Sequence, residues 1–242
     1  MNNKARERIF SRLYAAERQP LKDGPQVSDL PVKTYSRQEK IENLKRLMET
    51  MRTEVHLTDV ANWMDKLEEV LKSRGVKTLL FGPQTEIGAA LQQRRQQAGS
   101  GLPELVPFDR EIEHLKETVF NVDAGITSTH GAIAEIGALI LWSSIDEPRQ
   151  ISLVPPIHVS VLNADNIYST FLEVMQQENW AGGMPTNAFL ISGPSKTADI
   201  ELTLAFGVHG PKALRECFLT ARSAVPAPRV MTPLQGSRPD RS

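Results

Sequence analysis

Two hydroxyls, a cation and a carboxylate fall within one short turn of the stretch Ile191–Glu201, ISGPSKTADIE. The turn follows an apolar run and leads into a helical pattern, so the spacing predicts that it opens a helix. A helix N-terminus offers unpaired N–H groups and a partial positive charge. With Ser195, Lys196 and Thr197 beside it, such a turn suits a carboxylate or a phosphate. Helix capping is the alternative reading. A capping box needs a hydroxyl and an acid three residues apart, whereas Ser195 and Asp199 are four apart and Thr197 and Asp199 two apart. Capping therefore accounts for one of these groups and leaves the others to a ligand. The glycine spacing and Lys-Ser/Thr ending of a P-loop are absent.

Three further stretches carry groups able to do chemistry. In Gly125–Leu139, GITSTHGAIAEIGAL, the residues Thr127, Ser128, Thr129 and His130 precede an apolar segment that reads as a short helix holding Glu135. Buried there, Glu135 would have a raised pKa and could act as acid, base or nucleophile; on the exposed face it would simply be solvated. In LVPPIHVSVL the Pro155-Pro156 pair forms a turn before a strand, and His158 at the strand start reads as a hydrogen-bonded packing residue. In FGVHGPKAL, glycines flank Val208-His209, so backbone can approach a ligand closely, and His209 is the better site candidate of the two histidines. The five histidines are scattered without metal-ligand spacing. There is no G-x-S-x-G elbow and no G-x-G-x-x-G fingerprint, which argues against a Ser/His/Asp hydrolase and a nicotinamide or flavin site.

The elements that must position these groups alternate between short apolar strands and helices from residue 54 onward: strands at 76–81, 102–108, 119–127, 138–144, 157–163, 187–192 and 213–220, with helices between most of them, including one from Ala164 to Asn179 and one from Thr197 to Gly207. That rhythm predicts an α/β fold, a mostly parallel sheet with flanking helices. Helical patterns at residues 2–19 and 37–52, joined by the Pro/Gly-containing connector LKDGPQVSDLP, give an N-terminal helical extension over residues 1–52 that is expected to pack on the main body. The α/β domain then covers 53–220. Residues 221–242 hold four prolines and little apolar content, and are expected to be a disordered tail.

The 242 residues are 40% hydrophobic and 24% charged, enough for a folded core. The net charge of −1 gives no case for nucleic acid or an anionic membrane as partner. No apolar run approaches the roughly 20 residues of a membrane span, and the polar N-terminus lacks a secretory h-region, so a cytoplasmic protein is expected. The single cysteine, Cys217, can form no intramolecular disulfide and cannot ligate an iron–sulfur cluster alone.

AGITSTHGAIAEIGALIL, LVPPIHVSVL, ISGPSKTADIE and GVHGP, in this order, resemble the lactate utilization domain (LUD) family over roughly residues 75–220. One departure is Ala138, where the family has a hydroxyl residue after its Glu-x-Gly. The resemblance implies a fold similar to the sugar-phosphate isomerase and coenzyme A transferase-like α/β group. It also implies a role in oxidising L-lactate to pyruvate with partner proteins that carry iron–sulfur clusters, this chain binding no cofactor of its own. On that reading a small anionic metabolite, L-lactate or pyruvate, is held by Ser195, Lys196 and Thr197, with Asp199 orienting Lys196 or a hydroxyl. Thr127, Ser128 and His130 contribute further ligand contacts, and Glu135 and His209 approach as catalytic groups. The alternatives are a stand-alone coenzyme A transferase-like or sugar-phosphate enzyme using Glu135 as nucleophile, and a non-catalytic assembly or ligand-sensing module. A homo-oligomer is compatible with each of them.

Overall fold

A computed structural model describes residues 3–15, 33–109, 112–178, 180, 183–198, 204–206, 211 and 213–219. The chain divides into two compact units, Met1–Val32 and Lys33–Ser242. The first contains helix α1 (Asn3–Ala15), on which Arg6 lies over the ring of Phe10 at 5.1 Å.

The second unit is α/β. Its elements are α2 (Arg37–Thr50), β1 (Glu54–Thr58), α3 (Trp63–Ser73), β2 (Thr78–Phe81), α4 (Glu86–Gln96), β3 (Glu104–Pro107), α5 (Ile112–Asn121), β4 (Ala124–Ser128), β5 (Gly131–Ile133), β6 (Ala138–Trp142), α6 (Gln150–Leu153), β7 (Ile157–Asn163), β8 (Ile167–Tyr168), α7 (Phe171–Gln177), β9 (Ala188–Ile191), β10 (Lys196–Ala198), β11 (Leu204–Phe206) and β12 (Ala213–Leu219). Six strands form one sheet in the order β1-β12-β7-β4-β2-β3, and every pairing in it is parallel. A second sheet, β8-β5-β6-β9, is mixed, with antiparallel pairs on both sides of β6.

Local chemistry sets the helix starts. Ser36 accepts from the Glu39 amide and Glu39 accepts back from the Ser36 amide, a capping box that opens α2. Thr85 caps α4 through the Gly88 amide. Asp59 accepts from the amides of Ala61 and Asn62 to make the turn before α3, and Gly75 just beyond it has φ 66°. The central parallel strands β2, β4 and β7 are buried on both faces. Ala124, Ile126, Val159 and Val161 pack with Leu67, Leu71, Ile87 and Leu91 of α3 and α4 on one side. Leu80 packs with Leu115 and Val119 of α5 and with Ile151 on the other.

Three expectations are corrected. The segment AIAEIG is not a helix but the end of β5 and a turn into β6, closed by Gly137 at φ 63°. A left-handed residue there reverses the chain, which a helix does not permit. The stretch from Lys196 to Phe206 carries no helix at its start: Lys196–Ala198 pairs antiparallel with Leu204–Phe206, so cross-strand pairing overrides local helix propensity. The single helix expected from Ala164 resolves into a 3-10 turn at Ala164–Asn166, the strand β8, and α7 capped by Thr170.

The unit boundary also falls earlier than residue 52. Ile41, Leu44 and Met48 of α2 are buried against Val55, Ala132, Leu139 and Leu162, so α2 is an integral helix of the larger unit. The connector at 21–31 and the tail at 221–242 lie outside the described residues. Met48→Ala should lower stability by about 2–5 kcal/mol. Urea unfolding followed by circular dichroism checks this; a loss below about 1 kcal/mol would show that α2 is not part of the cooperative core.

Candidate functional site

The strand order contains one place where successive connections diverge. The chain leaves β2 toward β3 and leaves β4 toward β7, on opposite sides of the β2–β4 pair. In open α/β sheets ligands sit outside the carboxyl ends of the strands at such a switch point. Here the carboxyl ends supply Gly82 after β2 and Thr127 and Ser128 from β4. The connection from β6 to α6 folds over them.

That connection lies against backbone. A Cβ at Gly82 would sit 2.1 Å from the Asp146 carbonyl oxygen and 3.2 Å from Glu147 Cγ. One at Gly125 would sit 2.1 Å from the Ile151 carbonyl oxygen. Ser144 Oγ accepts from the amides of Asp146 (3.2 Å) and Glu147 (2.9 Å), and the resulting turn sends Glu147 inward. Glu147 is 8% exposed. Its Oε1 accepts from the Ser128 amide at 2.9 Å, and its Oε2 bonds the Ser128 hydroxyl. Burial pushes the Glu147 carboxyl above the ordinary glutamate range; the Ser128 bonds oppose this, and the Asp146 charge adds to it.

Behind this pair lies His158, which is fully buried. Its Nε2 is 3.0 Å from Thr127 Oγ1 and 3.5 Å from Ser160 Oγ. Nδ1 has no hydrogen-bond partner among the described residues. Burial pulls the imidazole down to about 3, so it is neutral at physiological pH.

Thr127, Ser128, Trp142, Ser143, Glu147 and Arg149 line a hollow where the two sheets meet. Its cavity volume of about 10 Å³ holds roughly one water, so a larger ligand must displace lining side chains. Arg149 is the exposed member, and its Nη1 donates to Asn187 Oδ1 at 3.1 Å. Hydroxyls and a guanidinium converging beside a buried carboxyl suit a small carboxylate. A wider, open depression of about 390 Å³ lies at the end of β1, lined by Leu57, Thr58, Asp59 and Asn62. Its one carboxylate is occupied in the turn before α3. No group of three His, Cys, Asp or Glu among the described residues could hold a metal ion.

The residues picked out in the sequence do not converge on one place. Thr127 and Ser128 line the hollow. His130 stands behind its wall: the ring packs on Trp142 at 4.4 Å, and Nε2 lies 2.7 Å from Glu178 Oε2, a carboxylate that also receives the Tyr168 hydroxyl. Glu135 sits in the β5–β6 turn, its side chain 36% exposed and paired with Lys33 Nζ at 3.5 Å. Ser195 donates its amide to the Pro211 carbonyl at 3.0 Å.

Because Leu139 pairs with Ile191 and Trp142 with Ala188, Glu135 and Ser195 lie toward one end of β6 and the hollow lies at the other. Five strand residues separate them by about 14 Å. Lys196 and Thr197 lie in β10, where only their backbone is described, and Asp199 and His209 lie outside the described residues. Glu147 and Arg149 belong to the hollow although SSIDEPRQ reads as an ordinary polar loop. The one signal for them was Gly82, a glycine directly after an apolar strand.

The LUD domain family model matches residues 41–215. An uncharacterized protein of Neisseria meningitidis serogroup B is 39% identical over 216 residues, covering 87% of this chain and 91% of that one. Lactate utilization protein C of Anoxybacillus flavithermus is 27% identical over 229 residues, covering 89% of this chain and 98% of that one. Some other relatives of that name align over about half of their length. The crystal structure of a DUF162 family protein from Deinococcus radiodurans superposes with a TM-score of 0.56 at 19% identity, covering 77% of this chain and all of that one, a likeness of fold.

The buried histidine makes stability depend on acid. Its folded pKa is depressed, so its contribution is complete above the unfolded value of 6.5 and is lost as pH falls toward about 3. Glu147 acts in the opposite sense: its raised folded pKa removes stability as pH rises above the ordinary value of 4.5. Between about pH 6.5 and pH 4, the wild type should lose about 3 kcal/mol more than His158→Asn. Urea titrations of both proteins across that range measure the difference; parallel curves would mean that His158 is protonated in the folded state.

Proposed function

The chain belongs to the LUD domain family, and on that footing we propose that it is a component of L-lactate utilization. The observation that carries this reading is the alignment with lactate utilization protein C across 89% of this chain and 98% of that one. Converting L-lactate to pyruvate removes two electrons. A chain with one cysteine cannot supply the thiolates of an iron–sulfur cluster, and its sequence has no dinucleotide fingerprint. The resemblance to the family implies that the electrons pass to iron–sulfur partner proteins, which leaves this chain the part of binding the metabolite.

The carboxylate of L-lactate or pyruvate enters the hollow at the β2–β4 switch point. Arg149 leaves Asn187 to meet it, and the hydroxyls of Ser128 and Ser143 complete its hydrogen bonds. Lys196–Ala198 forms a strand rather than the first turn of a helix, which removes the helix-dipole part of the argument for an anion site at Lys196. An exposed Glu135 paired with Lys33 gives no support to a transferase nucleophile.

A strain lacking this chain should fail to grow on L-lactate as sole carbon source while growing normally on pyruvate. Tagged protein from lactate-grown cells should bring down a cysteine-rich partner. Undiminished growth on L-lactate would refute the reading.

A further inference from the structure

Ser128 and Glu147 are joined twice, through the Ser128 amide and through its hydroxyl. The amide bond is indifferent to the state of the acid, because Oε1 accepts in either case. The hydroxyl bond is not. With Glu147 ionised, Oε2 is an acceptor only, so Ser128 must donate its single hydroxyl proton to it. Ser128 Oγ then presents only lone pairs to the hollow, and the hollow holds a negative charge. With Glu147 protonated, Oε2–H donates to Ser128 Oγ, and the Ser128 proton is released toward the hollow. A carboxylate arriving there is repelled in the first state and met by a donor in the second.

We propose that Glu147 is a positioning residue that takes up a proton from solvent when a monocarboxylate binds in the hollow, and so turns the Ser128 hydroxyl toward the bound carboxylate. This rests on the reading that the hollow is the metabolite site. The proton goes to Glu147 Oε2, no bond of the ligand changes, and the hollow holds one negative charge throughout, on Glu147 before binding and on the ligand afterwards.

The charged groups around Glu147 are consistent with such uptake. Asp146, its neighbour in the turn, favours the protonated form. Arg149 lines the same hollow but is drawn to Asn187 until a ligand competes for it. β4 presents the Ser128 amide and hydroxyl and carries no ionisable side chain, and the loop after β2 presents Gly82, which has none either. The near-complete burial of Glu147 keeps water from substituting for either partner.

The test is isothermal calorimetry of the full chain with L-lactate and with pyruvate, from about pH 5, where such acids are already ionised, to about pH 9. Affinity should weaken with rising pH by up to about tenfold per unit once Glu147 is ionised in the free protein. Titrations in phosphate and in Tris at one pH should differ in apparent enthalpy by the heat of transferring one proton from buffer. Glu147→Gln keeps both bonds, its Nε2 donating permanently to Ser128 Oγ, so it should bind with the tight low-pH affinity at every pH and show no buffer dependence.

Binding by the wild type without a pH slope or buffer dependence would overturn the proton coupling and leave the hollow as the site. A slope retained in Glu147→Gln would overturn Glu147 as its origin. No binding of either acid at any pH would overturn the site reading, and this inference with it. The two-buffer measurement needs no variant, so it decides the proton uptake even if Glu147→Gln fails to fold. Ser128→Ala, which removes the hydroxyl that Glu147 turns, should then flatten the pH slope, and a slope retained in it would overturn the Ser128–Glu147 device.

Discussion

The Asp146 carbonyl oxygen occupies the space that a side chain at residue 82 would fill, and the rest of the candidate site depends on that close approach. It fixes the β6–α6 connection onto the carboxyl end of β2. The helix it leads into, α6, reaches Gly125 one strand away, where the Ile151 carbonyl takes the place of another missing Cβ. With both ends held against backbone, the residues between them have little freedom, and Glu147 has only one direction in which to point. A carboxylate is thereby carried into a site it would not enter unaided. Desolvation disfavours it, and the two Ser128 bonds offset part of that cost.

Burial drives both ionisable groups here toward their neutral forms, but it leaves them in different places. His158 loses its charge and stays a neutral hydrogen-bonding group behind Thr127. Glu147 is pushed toward its neutral form as well, but it stays beside a hydroxyl that lines open space. The histidine is sealed in the sheet, whereas the acid lines the hollow beside Ser128. That difference in access separates a packing residue from a candidate functional one, although both shifts have the same origin in desolvation.

The parallel sheet was legible because strands buried on both faces need continuous apolar runs, and TLLF and IHVSVLN are such runs. His158 was legible as a hydrogen-bonded packing residue for the same reason. The β5–β6 hairpin was not legible: AIAEIG has good helix formers, and only the φ of 63° at Gly137 marks it as a reversal. The β10–β11 pair was hidden likewise, since pairing between Lys196–Ala198 and Leu204–Phe206 is non-local information that propensity does not hold. Thr127 and Ser128 could be found as polar residues ending a strand. Glu147 could not, because its burial follows from a backbone contact with Gly82 that no local pattern encodes. Gathering Glu135, Ser195 and Ser128 into one site failed for a related reason: the register of β6 against β9 sets them at opposite ends of a strand.

The hollow also depends on a helix that does not touch it. Its walls come from β4 of the parallel sheet and β6 of the mixed sheet, so its width follows from how those sheets are held together. Leu44 and Met48 of α2 pack in a single cluster with Val55 and Leu162 from one sheet and Ala132 and Leu139 from the other. The helix is also fitted closely to the smaller sheet, since a Cβ at Gly137 would lie 2.4 Å from Leu47 Cβ. Close-packed interiors transmit displacement rather than absorb it, so α2 acts on the site through sheet orientation. The family match begins at residue 41, the first buried position of that helix. The matched region therefore includes the helix that packs on both sheets, and not only the strands themselves.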